Sequence, residues 1–193
     1  GGVTLSHLFQ VKRGLATGAN NFFILPADEA LRHQIAPEFL VPILPGPRFV
    51  TTDEIPVDDA GNPVLEKKLF LLDCKLPEAQ IQNDYPAMWE YLEAGKRRGL
   101  HLGYISSHRS PWYSQEKRPP PPLLCTYMGR SDSKGSRTFR FILNHSQARA
   151  TNVYLMLYPR PHLLKIMDDN PGLLRRLWEA LNRLSIDMFP MAA

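Results

Sequence analysis

Apolar residues come in short bursts along this chain, and the longest unbroken ones, residues 22–25, 69–72 and 154–158, are strand-sized. Imperfect alternation over residues 8–15, broken at Gly18, predicts a strand and a glycine/asparagine turn. Residues 22–25 predict a second strand, and the short turn Ala16-Thr-Gly-Ala-Asn20 makes the pair a hairpin. Pro26, with Asp28 and Glu29 just behind it, opens a short helix. The five prolines from Pro37 to Pro56 forbid long regular elements and predict an irregular connection. Asp58-Asp-Ala-Gly-Asn-Pro63 is turn chemistry, and residues 69–74 read as a buried strand.

Residues 85–98 predict a helix with Met88, Tyr91 and Leu92 on one face. Lys96, Arg97 and Arg98 close it, where cations suit the helix dipole, and Gly99 caps it. Residues 101–122 carry no periodicity and end in four prolines. Residues 123–128, 139–144 and 152–158 predict a three-strand meander whose first connection is a polar, basic loop. Pro171 opens a last amphipathic helix with Leu174, Leu177, Trp178 and Leu181 on its apolar side. Together these predict an α+β fold with a mixed, largely antiparallel sheet and a few helices. One domain is expected, with a strand/helix part over 7–95, a basic loop and meander over 96–160, and a C-terminal helix over 171–186.

The composition, 44% hydrophobic and 22% charged over 193 residues, is that of an ordinary globular domain. No apolar run approaches the roughly 18 residues of a membrane span. The Gly-Gly start lacks Met, a basic segment and an apolar segment, so it reads as the scar of a fragment with more protein upstream. Cys74 and Cys125 lie in apolar runs and read as buried, inert thiols suited to the cytoplasm. Charge sharpens the picture. The net charge is +4, but residues 96–140 hold ten Lys/Arg against only Glu116 and Asp132. That bias is the footprint of a polyanion-binding face, or else of a solvated basic surface.

Several chemistries lack their motifs. There is no glycine-rich strand-turn for S-adenosylmethionine, no Asn/Asp-Pro-Pro-aromatic tetrapeptide and no phosphate-binding glycine loop. The six histidines show no ligand spacing. Asp58 or Asp59 with Glu66, Lys67 and Lys68 mimics the acid…Glu-x-Lys pattern of Mg-dependent nucleases, which is the alternative enzymatic reading. A protein-interaction domain with a basic face is the blander alternative.

Three stretches, in order, carry a family resemblance: Val11-Lys-Arg-Gly-Leu-Ala-Thr-Gly-Ala-Asn-Asn-Phe-Phe-Ile-Leu25; Tyr85-Pro-Ala-Met-Trp-Glu-Tyr-Leu-Glu93 followed by Arg109-Ser-Pro-Trp-Tyr113; and Phe139-Arg-Phe-Ile-Leu-Asn-His-Ser146 with Thr151-Asn152. The set, spanning residues 7–184, resembles the C-terminal target-recognition domain of TaqI-like adenine-N6 DNA methyltransferases; Type I restriction specificity subunits carry a related module. The resemblance implies double-stranded DNA as partner and no cofactor in this chain. It also implies an upstream methyltransferase domain of the same polypeptide that binds S-adenosylmethionine and the flipped adenine.

Candidate DNA-binding residues follow. Gly14 and Gly18 read as turn-makers. Thr17, Asn20 and Asn21 either build that turn or meet DNA, Asn on an adenine edge and Thr on a phosphate or thymine methyl. Lys12 and Arg13 flank the turn, and strand alternation lets one of them reach DNA. Arg109, Trp112 and Tyr113 are a core plug under an irregular loop or a platform for sugar or an unstacked base. Trp112 is assigned to the core, whereas Tyr113 stays open. His108, Lys117 and Arg118 surround that cluster. Arg130, Lys134 and Arg137 suit phosphate contact or groove insertion. Among these, Arg109, Arg130 and Arg137 are the guanine-reading candidates.

Overall fold

The computed structural model describes residues 2–127 and 139–184. In chain order, α1 (Leu5–Leu8) leads into β1 (Phe9–Arg13), followed by α2 (Asn20–Phe23), β2 (Ile24–Pro26) and α3 (Ala27–Arg32). Strands β3 (Leu40–Ile43), β4 (Glu54–Ile55) and β5 (Leu69–Leu72) precede helices α4 (Glu78–Asp84), α5 (Pro86–Arg97) and α6 (Tyr104–Ser107). The chain continues through β6 (Leu123–Tyr127), β7 (Phe139–Asn144), β8 (Leu155–Pro159), α7 (Pro161–Asp169) and α8 (Leu173–Arg183). A five-stranded mixed sheet has the order β1-β8-β6-β7-β4, and a three-stranded antiparallel sheet has the order β2-β5-β3. The expected mixed α+β class holds.

Strand pairing departs from the sequence reading in three places. First, the hairpin over residues 8–25 does not form. Val11 faces Leu157 of β8, while Leu25 faces Phe70 of β5. Residues 20–23 are instead helical, because Phe22 and Phe23 are both buried and cannot alternate between faces, and of the expected second strand only Ile24 and Leu25 are extended, in β2. Phe22 stacks on Tyr91 with ring centroids 4.5 Å apart, in a notch that Gly95 leaves open. A Cβ on Gly95 would stand 2.6 Å from that ring, so the glycine permits the helix–helix approach.

Second, the meander is not consecutive. Strand β8 pairs with β6, not with β7 (Leu124 faces Met156), because β4 already occupies the outer edge of β7 in parallel register. Third, the proline-rich connection contains β3 and β4. Pro42 is accommodated because β3 is an edge strand, where a missing N–H need not break the ladder.

Period-2 alternation explains how the larger sheet is covered on both faces. Leu123, Cys125, Phe141, Leu143 and Leu157 pack with Leu163 of α7 and Leu181 of α8. Leu124, Ile142 and Met156 point the other way, onto Leu44, Val50, Ile55 and Tyr154. A separate apolar cluster joins the smaller sheet to α4 and α5 through Leu71, Leu72, Ile81, Met88 and Leu92.

The proline-rich connection is ordered by polar ties. The buried Arg140 guanidinium donates to Asp53 at 2.6 Å and to the carbonyls of Thr52 at 2.8 Å and Val50. The Tyr154 hydroxyl donates to the Pro45 carbonyl at 2.7 Å. At the sheet's outer edge Glu54 receives Arg175 of α8 and, at 2.9 Å, His145. Arg175, then His145, hold its carboxyl at about 2, below the ordinary 4.5. A depressed folded-state pKa gives stability that is complete above the ordinary value and drains away as pH falls from about 4.5 toward 2. The urea midpoint of the wild type should therefore drop more over that window than that of Glu54→Gln. Parallel curves would show that α8 docking does not rest on this pair.

Candidate nucleic-acid interface

The segment after β1 is held against the loop before β8 by backbone hydrogen bonds. Gly14 N–H donates to the Tyr154 carbonyl at 3.0 Å, Leu15 N–H to Ala150 at 2.8 Å, and Asn152 N–H to Leu15 at 3.1 Å. Gly14 is needed for the close approach, since a Cβ would lie 1.9 Å from the Thr151 carbonyl oxygen. Gly18, with φ +81°, supplies the left-handed residue of the turn.

These contacts, with the end of α5, enclose an open cleft of about 460 Å³ lined by residues 16–22 together with Arg98, Ile105 and Asn152. Arg98 reaches it because α5 is pinned to the turn twice. Phe22 fills the Gly95 notch, and the Tyr91 hydroxyl donates to the Phe22 carbonyl at 2.5 Å. Asn20, Asn21, Arg98 and Asn152 are all exposed at this cleft. Carboxamides and a guanidinium around one concavity can exchange directional hydrogen bonds with base edges or phosphates.

Within the turn, Thr17 is 1% exposed. Its hydroxyl accepts from Ala19 N–H at 3.1 Å and donates to Asn20 Oδ1 at 2.5 Å. Thr17 is therefore a turn-builder with no surface for a phosphate or thymine methyl. Tyr113 likewise has no exposed surface; its hydroxyl donates to the Leu76 carbonyl, and burial pushes its pKa up. The sequence left Tyr113 open, and the structure places it in the core beside Trp112, with ring centroids 5.6 Å apart.

Arg109, read from the sequence as a guanine-reading candidate, is a strut beneath the cleft. Its guanidinium donates to the Ala16 carbonyl at 2.7 Å and to Gln115 Oε1 at 3.1 Å. It also faces Glu116 at 3.5 Å, and its side chain is only 12% exposed. Arg118 pairs with the same Glu116 at 3.0 Å. Arg13, His108 and Lys117 are exposed and Lys12 is half-buried. The His108 ring meets the Tyr104 carbonyl at 2.6 Å, on the helix whose Ile105 forms the cleft wall. Arg130, Lys134 and Arg137 lie outside the described residues.

Sequence reasoning missed two polar members of the cleft. Asn152 stood in the third family-like stretch but was not picked as a contact, and Arg98 was read only as a helix-end cation. Nothing local marks Arg98; its role comes from the Phe22–Gly95 packing. Leu102 and Tyr104, 72% and 82% exposed, are unburied apolar groups on the neighbouring segment.

Other chemistries find little footing. Among the described residues no group of three or more His, Cys, Asp or Glu gathers as a metal site. Asp58, of the nuclease-like pattern, accepts on its Oδ1 from Ala60 N–H and Asn62 N–H, each at 2.9 Å, inside its own turn. Burial pushes the Cys125 thiol up to about 12 and raises Cys74 as well, so neither is an activated nucleophile. Among the described residues no helix is long and apolar enough to cross a membrane.

Comparison with known proteins places this arrangement. Residues 2–168 match the C-terminal domain of Type II methyltransferase M.Eco57I, and the chain belongs to that family of methyltransferase C-terminal domains. It is similar to Type II methyltransferase M.XamI of Xanthomonas campestris pv. amaranthicola, 30% identical over 166 residues, covering 84% of this chain and 28% of the relative. It is also similar to Type II methyltransferase M.AccI of Acinetobacter calcoaceticus, 25% identical over 167 residues, covering 86% of this chain and 29% of the relative. The chain thus spans under a third of the length of these relatives.

Proposed function

We propose that the whole chain forms one target-recognition domain of a TaqI-like, S-adenosylmethionine-dependent adenine-N6 DNA methyltransferase, and that it binds duplex DNA through the cleft between residues 16–22, Arg98 and Asn152. The observation that carries the reading is that cleft: exposed carboxamides and a guanidinium converge on a backbone scaffold held by hydrogen bonds. Arg13, the exposed one of the two cations that alternate on β1, leads into it as a cation for the flanking phosphates. Affinity from such contacts falls with salt, and discrimination comes from the few groups that reach base edges.

Methyl transfer belongs to a separate catalytic domain of the same polypeptide, working in the cytoplasm where the host DNA lies. The methyl donor does not fit this chain's own glycine turn. The space at Gly14 is filled by the Thr151 carbonyl, so this glycine leaves no open backbone for a nucleotide.

Titration of the chain against duplex DNA at several salt concentrations tests the reading. Arg98→Ala should cost about 1–3 kcal/mol on a preferred sequence if the guanidinium reads a base. If it holds a phosphate, the loss should be uniform over sequences and the salt slope should shrink by about one. Unaltered binding in both Arg98→Ala and Asn152→Ala would remove the cleft from the interface.

A further inference from the structure

Exposed apolar side chains scattered singly are ordinary on a protein surface. Leu102 and Tyr104 are placed differently: they are 72% and 82% exposed, and they stand two residues apart on a segment that is fixed from behind. Leu100 packs against the core cluster that holds Phe22, and Ser106 is buried. Ile105 lies beside Gly18 and lines the cleft, and Arg109 donates to the Ala16 carbonyl at 2.7 Å. The inward residues of the segment are thus committed, and the pair projects from the rim of the cleft. The Tyr104 ring is also propped. His108 lies beside it with ring centroids 4.6 Å apart, and the Tyr104 carbonyl accepts from His108 Nδ1 at 2.6 Å. A tyrosine has only two side-chain torsions to freeze, so a propped ring loses little entropy when a partner settles on it.

The surroundings say what kind of partner fits. Residues 96–118 carry six Lys/Arg against Glu116 alone. Arg97 and Arg98 stand exposed at the end of α5, and Arg98 shares the cleft with Ile105. An apolar pair on so cationic a rim suits a polyanion that also offers apolar surface. A duplex does, since sugars and base faces lie between its phosphates. We propose that Leu102 and Tyr104 press on the apolar face of one nucleotide, its sugar or an opened base, at the edge of the sequence read by the cleft, and supply a share of the affinity that salt does not screen. The proposal rests on the DNA-recognition reading. Cations lose their grip as salt rises because counterions compete for the phosphates, whereas an apolar contact displaces no counterion.

The test uses the 193-residue chain and duplex DNA titrated at several salt concentrations. Tyr104→Ala should weaken binding about tenfold, the size of one lost base–aromatic contact, and by the same factor at every salt. The slope of log affinity against log salt should stay that of the wild type. Leu102→Ala should cost less, and the double variant more than either. Tyr104→Phe keeps the ring and should bind as the wild type does. Both side chains stand outside the core, so the variants should melt with the wild type. Abasic sites walked along the flanks of the bound sequence separate the two sources. Where a base is touched, its removal erases the Tyr104→Ala loss; where a sugar is touched, the loss survives at every position. Unchanged affinity in the double variant overturns the proposal and leaves the pair to a protein partner. An equal loss in Tyr104→Phe and Tyr104→Ala overturns it as well, because the hydroxyl would then be the contact. So does a loss that comes with a shallower salt slope. A wild-type chain that binds no duplex at low salt defeats the recognition reading itself.

Discussion

Arg140→Ala should lower the unfolding free energy by about 3–5 kcal/mol, the loss expected when one partner of a buried ionic network is removed. The side chain is 11% exposed, and its guanidinium meets Asp53, Val50 and Thr52, none of them in its own strand. Alanine takes the donors away, leaving the buried Val50 carbonyl without this partner and the partly exposed Asp53 and Thr52 without the guanidinium that ties them to β7. The damage should spread to the 44–55 connection, which covers one face of the larger sheet through Leu44, Val50 and Ile55. Urea unfolding followed by circular dichroism measures it. A loss below about 1 kcal/mol, the size of an exposed ion pair, would show the network to be superficial.

Gly14→Ala should be nearly as harmful, at or beyond the upper end of the roughly 1–3 kcal/mol typical of overpacking. Most overpacked sites relax by moving a side chain. Here the added carbon would meet backbone, 1.9 Å from the Thr151 oxygen and 2.7 Å from the Ala150 oxygen. Either β1 or the 150–152 loop has to retreat, and both carry the cleft. Affinity for duplex DNA should fall together with stability. Equal stability in wild type and variant would mean that the two segments do not approach as closely as described.

Hydrophobic patterning made the elements legible but not their partners. Residues 69–72 and 123–127 are apolar runs that any reader would pair somewhere, and α5 shows its face plainly at Met88 and Leu92. Pairing is decided elsewhere. The fate of residues 20–23 turned on two adjacent phenylalanines needing the same side, a demand that only α5 and Gly95 reveal. Helix α7 was unread although Leu163 and Met167, four apart, both face the core. Charge counting over 96–140 pointed to a basic face, yet Arg140 and Arg109 spend their donors inside the protein. Formal charge does not tell a guanidinium strut from a guanidinium contact. Asn20 and Asn21 were legible as candidates because asparagines beside a glycine turn are exposed; the burial of Thr17, whose hydroxyl holds Asn20, was not.

Strand β1 finds its ladder partner in β8, nearly a whole chain length away (Phe9 opposite Pro159), whereas β2, β3 and β5 all lie within residues 24–72. During synthesis from the N-terminus the smaller sheet has its strands in hand while residues 9–13 still wait for theirs. Closing so long a loop is entropically slow. The wall of the cleft that Asn152 supplies is thus among the last parts of this molecule to be put in place, and a chain that ends before β8 holds all three strands of the small sheet but leaves the cleft unfinished.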